Sequence, residues 1–355
     1  MMTIDSLTQS AIKLLKNLIE TPSFSSKEDL TALLLEQWFK SFDIPFQRHQ
    51  NNVWATNKYF DDSKPTLLLN SHHDTVKPNS GYTKDPFDAH IEDGKLYGLG
   101  SNDAGGCLVS LLATFTHFYF QESLAYNLVF VGSAEEESSG SNGLNSMLKV
   151  IPKIDVAIVG EPTQMHLAIA EKGLIVFDVE VSGTPGHAAH PNGNNALYNA
   201  IPVMEWIKTY KFEQESEALG SVKMTLTQIN AGQQHNAVPA KVSMVVDVRV
   251  NDCYTNAQIV AILQKHLPNA KATARSTNLN SSSIPKNHPL VQAGIEMGRE
   301  TYGSPTLSDQ AVLSCPSLKL GPGDSTRSHT ADEFIYIHEI EEGVRLYIQL
   351  LKKIL

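Results

Sequence analysis

The chain is 355 residues long, with 41% apolar and 19% charged residues and a formal net charge of -10. That balance is globular, and the length favours one large domain plus a smaller one. No run approaches the roughly eighteen apolar residues of a membrane span, and the acidity, unrelieved by any Lys/Arg cluster, would repel phosphates. Membrane and nucleic acid are therefore excluded as partners. Cys107, Cys253 and Cys315 are odd in number, far apart and outside any CxxC pair. They indicate neither a disulfide framework nor a thiolate metal site, and are expected as small buried apolar residues.

The N-terminal stretch MMTIDSLTQSAIKLLKNLIE reads as an amphipathic helix with an early Asp5. It lacks the basic flank and apolar segment of a secretory signal, so a cytoplasmic location is expected. Ser26-Lys27-Glu28-Asp29 has the form of a capped helix start, with Leu30, Leu33, Leu34, Phe39 and Phe42 at helical spacing behind it. Short apolar runs at residues 67–69, 128–131 and 156–159 alternate with helix-like stretches such as 108–115, the pattern of buried strands in an α/β sheet.

From about residue 173 to 284 the period changes to two. Phe177, Val179 and Val181 alternate with Asp178, Glu180 and Ser182, and Val242, Met244, Val246, Val248 and Val250 alternate with Ser243, Asp247 and Arg249. Such strands have one buried and one wet face. With helical spacing at 196–207 and 259–267, the order is βαββαβ, a ferredoxin-like module. Helical periodicity returns at 290–302 and 337–355, and the polar stretch 278–283 reads as a returning linker. The expected organisation is an α/β domain of residues 1–173 and 284–355, interrupted by an α+β module at 174–283.

Polar residues fall at telling places. His72 and Asp74 follow the first apolar run, Glu135-Glu136-Glu137 the second, and Glu161 the third; this carboxyl edge is where open α/β sheets bind ligands. A glycine-rich loop, residues 98–103, carries Asp103 into a helix, and Gly321-Pro322-Gly323 leads to His329. Taken singly, each has a plainer reading: a hydrogen-bonded histidine, a solvated acidic loop, a helix cap at Asp103. Together they make two histidines and at least four carboxylates without a thiolate, a set suited to zinc or another divalent ion. Clustered carboxylates would also repel one another unless cations neutralised them. GxSxG, GxxxxGK[ST], HExxH and a dinucleotide-binding glycine fingerprint are all absent.

The motifs Ser71-His72-His73-Asp74-Thr75-Val76, residues 98–106 around Asp103, Glu136-Glu137, Gly160-Glu161-Pro162-Thr163, residues 183–191 around His187 and 321–333 around His329 are together similar to the acetylornithine deacetylase, succinyl-diaminopimelate desuccinylase and carboxypeptidase G family. The resemblance runs in order from about residue 5 to the C-terminus. It implies a zinc-peptidase-like α/β catalytic domain with an inserted dimerisation, or lid, domain. It further implies two zinc ions, replaceable by cobalt, bridged by Asp103, with His72 and Glu161 completing one site and Glu137 and His329 the other. In the same way Asp74 orients His72, Glu136 is the general base, and His187 reaches the partner's site in a homodimer. Asn236 and Arg249 match positions that bind the substrate's carboxylate; for Arg249, an ion pair with Asp247 on the same strand face is the alternative. The implied reaction is removal of an acetyl or succinyl group from an amino acid such as N-acetylornithine or N-acylcitrulline, in arginine biosynthesis. A succinyl-diaminopimelate desuccinylase or a metallo-dipeptidase is the alternative within the group. The chain departs from the family in having Glu135 where Asp usually opens the acidic triplet, and Gly105 where relatives commonly carry Lys.

Overall fold

The three apolar runs become parallel strands, Thr66–His72, Asn127–Ser133 and Val156–Val159, with Leu67 opposite both Leu128 and Val156. Every residue of the first two is buried, which is why they read as unbroken apolar runs and not as alternation. The computed structural model describes residues 3–355. Contacts divide the chain into two units, one comprising the chain up to Ile169 with Ser283–Tyr302 and Ser308–Leu355, the other Ala170–Ser282 with Gly303–Leu307.

In the first unit the sheet runs, from one edge, Gln47–His49, Asn52–Thr56, Asn127–Ser133, Thr66–His72, Val156–Val159, Ser317–Lys319 and Leu167–Glu171. The Gly106–Phe118 helix is buried along nearly its whole length and packs between the Ile4–Ile19 and Ile337–Leu351 helices. Each fully buried Leu or Phe there, such as Leu111 and Phe115, contributes about 1.5–3 kcal/mol by leaving water. Thr3 caps the first helix by accepting from the Ser6 N–H at 3.2 Å. No helix among the described residues is long and apolar enough to cross a membrane.

Several local expectations are corrected. The second helix, Asp29–Ser41, starts where expected, but Glu28 caps it without a side-chain bond. Its buried stripe is Thr31, Ala32, Leu35, Trp38 and Phe39, leaving Leu30 and Leu33 exposed. The bulky Trp38 and Phe39 rings, packed on Phe42, Phe46, Phe115 and Phe130, set the rotation of the helix. The helix expected over 290–302 is Pro289–Glu296, and 301–304 is a strand; Gly298, at φ 75°, lies in the left-handed region that ends helices. Cys107 is buried as expected, whereas Cys253 and Cys315 are partly exposed.

The second unit is the βαββαβ module. Its antiparallel sheet has the order Lys223–Ala231, Lys241–Val250, Gly173–Ser182, Lys271–Ala274. Ile175, Phe177, Val179 and Val181 join Val242 to Val250 in a separate core covered by the helices Ala196–Thr209 and Asn256–His266. The wet face carries ion pairs, Arg275 with Asp178 and Lys241 with Glu180. Period-two patterning thus sorted side chains between core and water, as the pleat requires.

Candidate metal centre

His72 ends its strand directly opposite Ser133, which ends the neighbouring one. The parallel register brings the segments that follow each strand, 73–74 and 134–137, to one place, and Glu161 arrives two residues past Val159. The Asp74 carboxylate organises this corner. One oxygen accepts from the Glu136 N–H at 3.1 Å, the other from the Glu137 N–H at 3.2 Å and the Ser25 hydroxyl at 2.7 Å. His72 Nδ1 lies 2.9 Å from the Asp74 carbonyl oxygen and 3.4 Å from its carboxylate. With Nδ1 so engaged, Nε2 is left to face the site.

That Nε2 atom is buried and has no hydrogen-bond partner. Three carboxylates surround it, Asp103 Oδ1 at 3.4 Å, Glu161 Oε1 at 3.7 Å and Glu136 Oε2 at 4.0 Å. The other oxygen of Asp103 faces the second histidine, His329 Nε2, at 3.6 Å, and this nitrogen is also 3.0 Å from Glu137. Among the described residues two sets, His72 with Asp103 and Glu137, and His72 with Glu136 and Glu161, each bring ligand atoms within 4.8 Å of one another, close enough to hold a metal ion. An unsatisfied buried nitrogen among carboxylate oxygens, with no thiolate, fits a divalent ion of zinc's type.

The electrostatics agree. Burial pushes Glu161 up to about 8, with the Asp103 charge adding to it against the opposing influence of His72 and Lys319. Burial likewise raises Glu136 well above the usual carboxylate range, against the pull of His72. Burial works to lower His72, but Asp103 and Asp74 override it and hold the imidazole well above its ordinary value. His329 is raised to about 9, chiefly by Glu137. Burial and mutual repulsion thus favour taking up positive charge, as protons or as metal ions.

The acidic triplet divides by function of position. Glu135, at φ 55°, turns away from the cluster and ties its own loop, accepting from Ser26 Oγ at 2.8 Å, Asn142 Nδ2 at 3.0 Å and Asn142 N at 3.0 Å. Glu136 and Glu137 face the cluster. The adjacent His73 is structural: it is buried, bonds Thr31 Oγ1 at 2.8 Å and the Asn51 carbonyl at 2.9 Å, and is pushed by burial down to about 4. Asp103 makes no helix-capping bond, which removes that reading.

Two further buried carboxylates, Glu333 and Asp309, border the cluster, and the sequence does not single them out. Glu333 accepts the N–H groups of Gly100, Asn102 and Asp103 at 3.1, 2.9 and 2.9 Å. It therefore holds the loop that presents Asp103, and burial pushes it up to about 8. Its only signal was an acid directly before the apolar Phe334-Ile335-Tyr336. Asp309 takes the Ser133 hydroxyl at 2.5 Å, and burial lifts it to about 6; nothing local marks it.

His187, Asn236 and Arg249 belong to the second unit. His187 lies in a two-stranded ribbon, paired with Ala237, and the Asn236 carbonyl accepts from Ala188 at 2.9 Å, so these two residues are neighbours. Both are exposed. Arg249 is bonded to Asp247 at 3.0 and 3.2 Å. It sits opposite Leu174, whereas the ribbon springs from the other end of that strand pair, where Lys241 meets Ser182. Eight residues at about 3.3 Å separate the two ends by roughly 26 Å.

The family model for peptidase family M20/M25/M40 matches residues 68–353. The chain belongs to that family. It is 27% identical to the acetylornithine deacetylase of Buchnera aphidicola subsp. Schizaphis graminum, with 97% of each chain covered. Against the acetylornithine deacetylase of Shigella sonnei it is 28% identical over 96% of each. Among solved structures it resembles an M20 family metallo-carboxypeptidase from Sulfolobus solfataricus, with a TM-score of 0.76, 18% identity and 97% and 98% coverage. A dinuclear metal-binding M20 peptidase from Bacillus subtilis gives a TM-score of 0.75 at 14% identity, with 98% of each chain covered. This M20 chain is a metal-dependent hydrolase with the α/β architecture of its family.

Proposed function

We propose that the enzyme removes an N-acyl group, acetyl or succinyl, from an amino acid such as N-acetylornithine or N-acylcitrulline, a step of arginine biosynthesis. The observation that carries the reading is Asp103, one of whose carboxylate oxygens faces His72 and the other His329. A bridging carboxylate between two imidazoles suits a pair of zinc ions. His72, Asp103 and Glu161 would hold one, and Asp103, Glu137 and His329 the other. Bound there, the ions supply Lewis acidity and ease the ionisation of water. End-to-end similarity to proteins named acetylornithine deacetylase favours deacylation over peptide cleavage.

Glu136 is the acid/base. It takes a proton from the attacking water as oxygen bonds to the amide carbon, and returns it to the leaving nitrogen as the C–N bond breaks. The products are a free carboxylate and an amine. Asp74 fixes His72 in one tautomer by engaging Nδ1. His187 steadies the negative charge that develops on the carbonyl oxygen. Arg249, freed from Asp247, grips the substrate's α-carboxylate with its two-pronged guanidinium, and Asn236 donates to the same substrate.

The inserted domain, 174–283, serves dimerisation. Its sheet has an edge strand, Lys223–Ala231, flanked by a helix that exposes Leu197, Tyr198 and Ile201, and an unpaired edge beside an apolar face is a ready interface. The separation of Arg249 from His187 and Asn236 along the module supports assigning them to different copies around one substrate. The test is kcat/KM for the acetyl and succinyl derivatives of ornithine, citrulline and diaminopimelate beside a dipeptide panel. Highest values for acetylornithine or acylcitrulline support the reading; a preference for succinyl-diaminopimelate or dipeptides overturns it.

A further inference from the structure

His329 is the exception within the metal cluster. The other members are buried or largely so, while its ring is about half exposed, at 54%. Little packing fixes its direction, so its backbone must. That backbone is in the left-handed region, φ 59°, as is Asp332 at 52°, a conformation that a non-glycine residue keeps only where its surroundings impose it. What imposes it comes from the opposite end of the sequence. Asn79 Nδ2 donates to the His329 carbonyl at 3.1 Å. Asp332 accepts the Thr83 N–H at 2.8 Å, the Thr83 hydroxyl at 2.6 Å and the Lys84 N–H at 2.9 Å. Asn79 is itself preset, its Oδ1 accepting from Gly81 N at 2.9 Å. Gly81 matters because a Cβ there would press on Asn79 Oδ1 at 3.1 Å and Ala331 Cβ at 3.2 Å.

We propose that residues 79–84 form a clamp on the 329–332 turn, and that Asn79 is a positioning residue that aims His329 at the metal position it shares with Glu137 and Asp103. The segment follows directly on the strand-end corner that carries His72 and Asp74. It therefore links the two sides of the metal centre through the backbone: one turn of chain sets His72 in place and the next few residues set His329. The inference rests on His329 being a metal ligand, as proposed above.

The experiment is a calorimetric titration of metal-free protein with Zn²⁺ for wild type, Asn79→Ala, Asn79→Asp, His329→Ala and the double variant Asn79→Ala/His329→Ala, with the thermal unfolding of each metal-free form as a check on folding. Asn79→Asp keeps the acceptor for Gly81 but loses the donor to His329, which separates the clamp from the fold of the loop. Both Asn79 variants are expected to bind one of two ions about 10-fold more weakly, the lower end for a residue supporting a ligand, with metal-free unfolding close to wild type. In the His329→Ala background Asn79→Ala should add nothing, since the effect travels through that side chain. If His329→Ala binds both ions as wild type does, the ligand assignment fails. If His329→Ala weakens one ion while Asn79→Asp binds both normally, or if the two substitutions simply add, the clamp is overturned and the ligand assignment stands.

Discussion

The two sides of the proposed metal centre are built differently. On one side His72, Asp74 and Glu161 stand at or just past the ends of buried parallel strands, and His72 is 1% exposed. On the other, Glu137 lies further past its strand than Glu161 does, and His329 sits in a turn whose carbonyl accepts from Asn79. The first side inherits its geometry from the core; the second depends on a few polar bonds. A strand-end ligand is thus rigid by default, whereas a turn-borne ligand needs a separate device to keep it in place.

Both sides should fall together when the metal is removed, the largest effect expected. Chelation is predicted to abolish hydrolysis, with Zn²⁺ or Co²⁺ restoring it; full turnover by protein shown to be metal-free would end the proposed chemistry. Next comes the division within the triplet. Glu136→Ala should lower kcat by roughly 10²–10⁴ while metal content stays near wild type, and Glu137→Ala should lose metal. The reverse pattern in elemental analysis would exchange their roles.

Asp74→Asn sharpens the contrast, because it acts from the strand-end side and leaves the bonds that hold the His329 turn in place. Loss of the carboxylate that engages His72 and the Glu136 and Glu137 N–H groups is expected to weaken metal binding by roughly 10–100-fold. Unchanged affinity by titration would mean that the strand ends need no such support.

The smallest effect is on stability. Glu161 is raised from 4.5 to about 8 in the folded protein, so the folded state holds a proton that the unfolded state gives up, and stability declines as pH climbs between those values. His329, raised from 6.5 to about 9, contributes stability that is complete below 6.5 and lost as pH rises through about 9. The two have the same sign. His73, pushed down to about 4, has the opposite slope below 6.5, so metal-free protein should melt at progressively lower temperature from about pH 6.5 to about pH 9, and Zn²⁺ should flatten the trend by replacing the protons. A metal-free melting temperature that rises over that window would contradict the charge balance inferred for the cluster.

Much of this architecture was legible in the sequence. Unbroken apolar runs marked the buried parallel strands, strict alternation marked the two-faced sheet of the module, and polar residues stood just beyond each run. What the structure shows there is the gathering of His72 with Asp103, Glu136 and Glu161; the signals that pointed to it are local, because pleat and burial act on consecutive residues. Tertiary structure alone decided the rest. Which carboxylate of the triplet leaves the cluster depends on Ser26 and Asn142 reaching Glu135. The buried face of the Asp29–Ser41 helix depends on where the Trp38 and Phe39 rings find room. Glu333 grips the Asp103 loop from 230 residues away, and Asn79 holds His329 across 250. Such bonds join backbone and polar groups that carry no periodicity, and they exist only because parallel strand ends gather distant loops at one edge of the sheet.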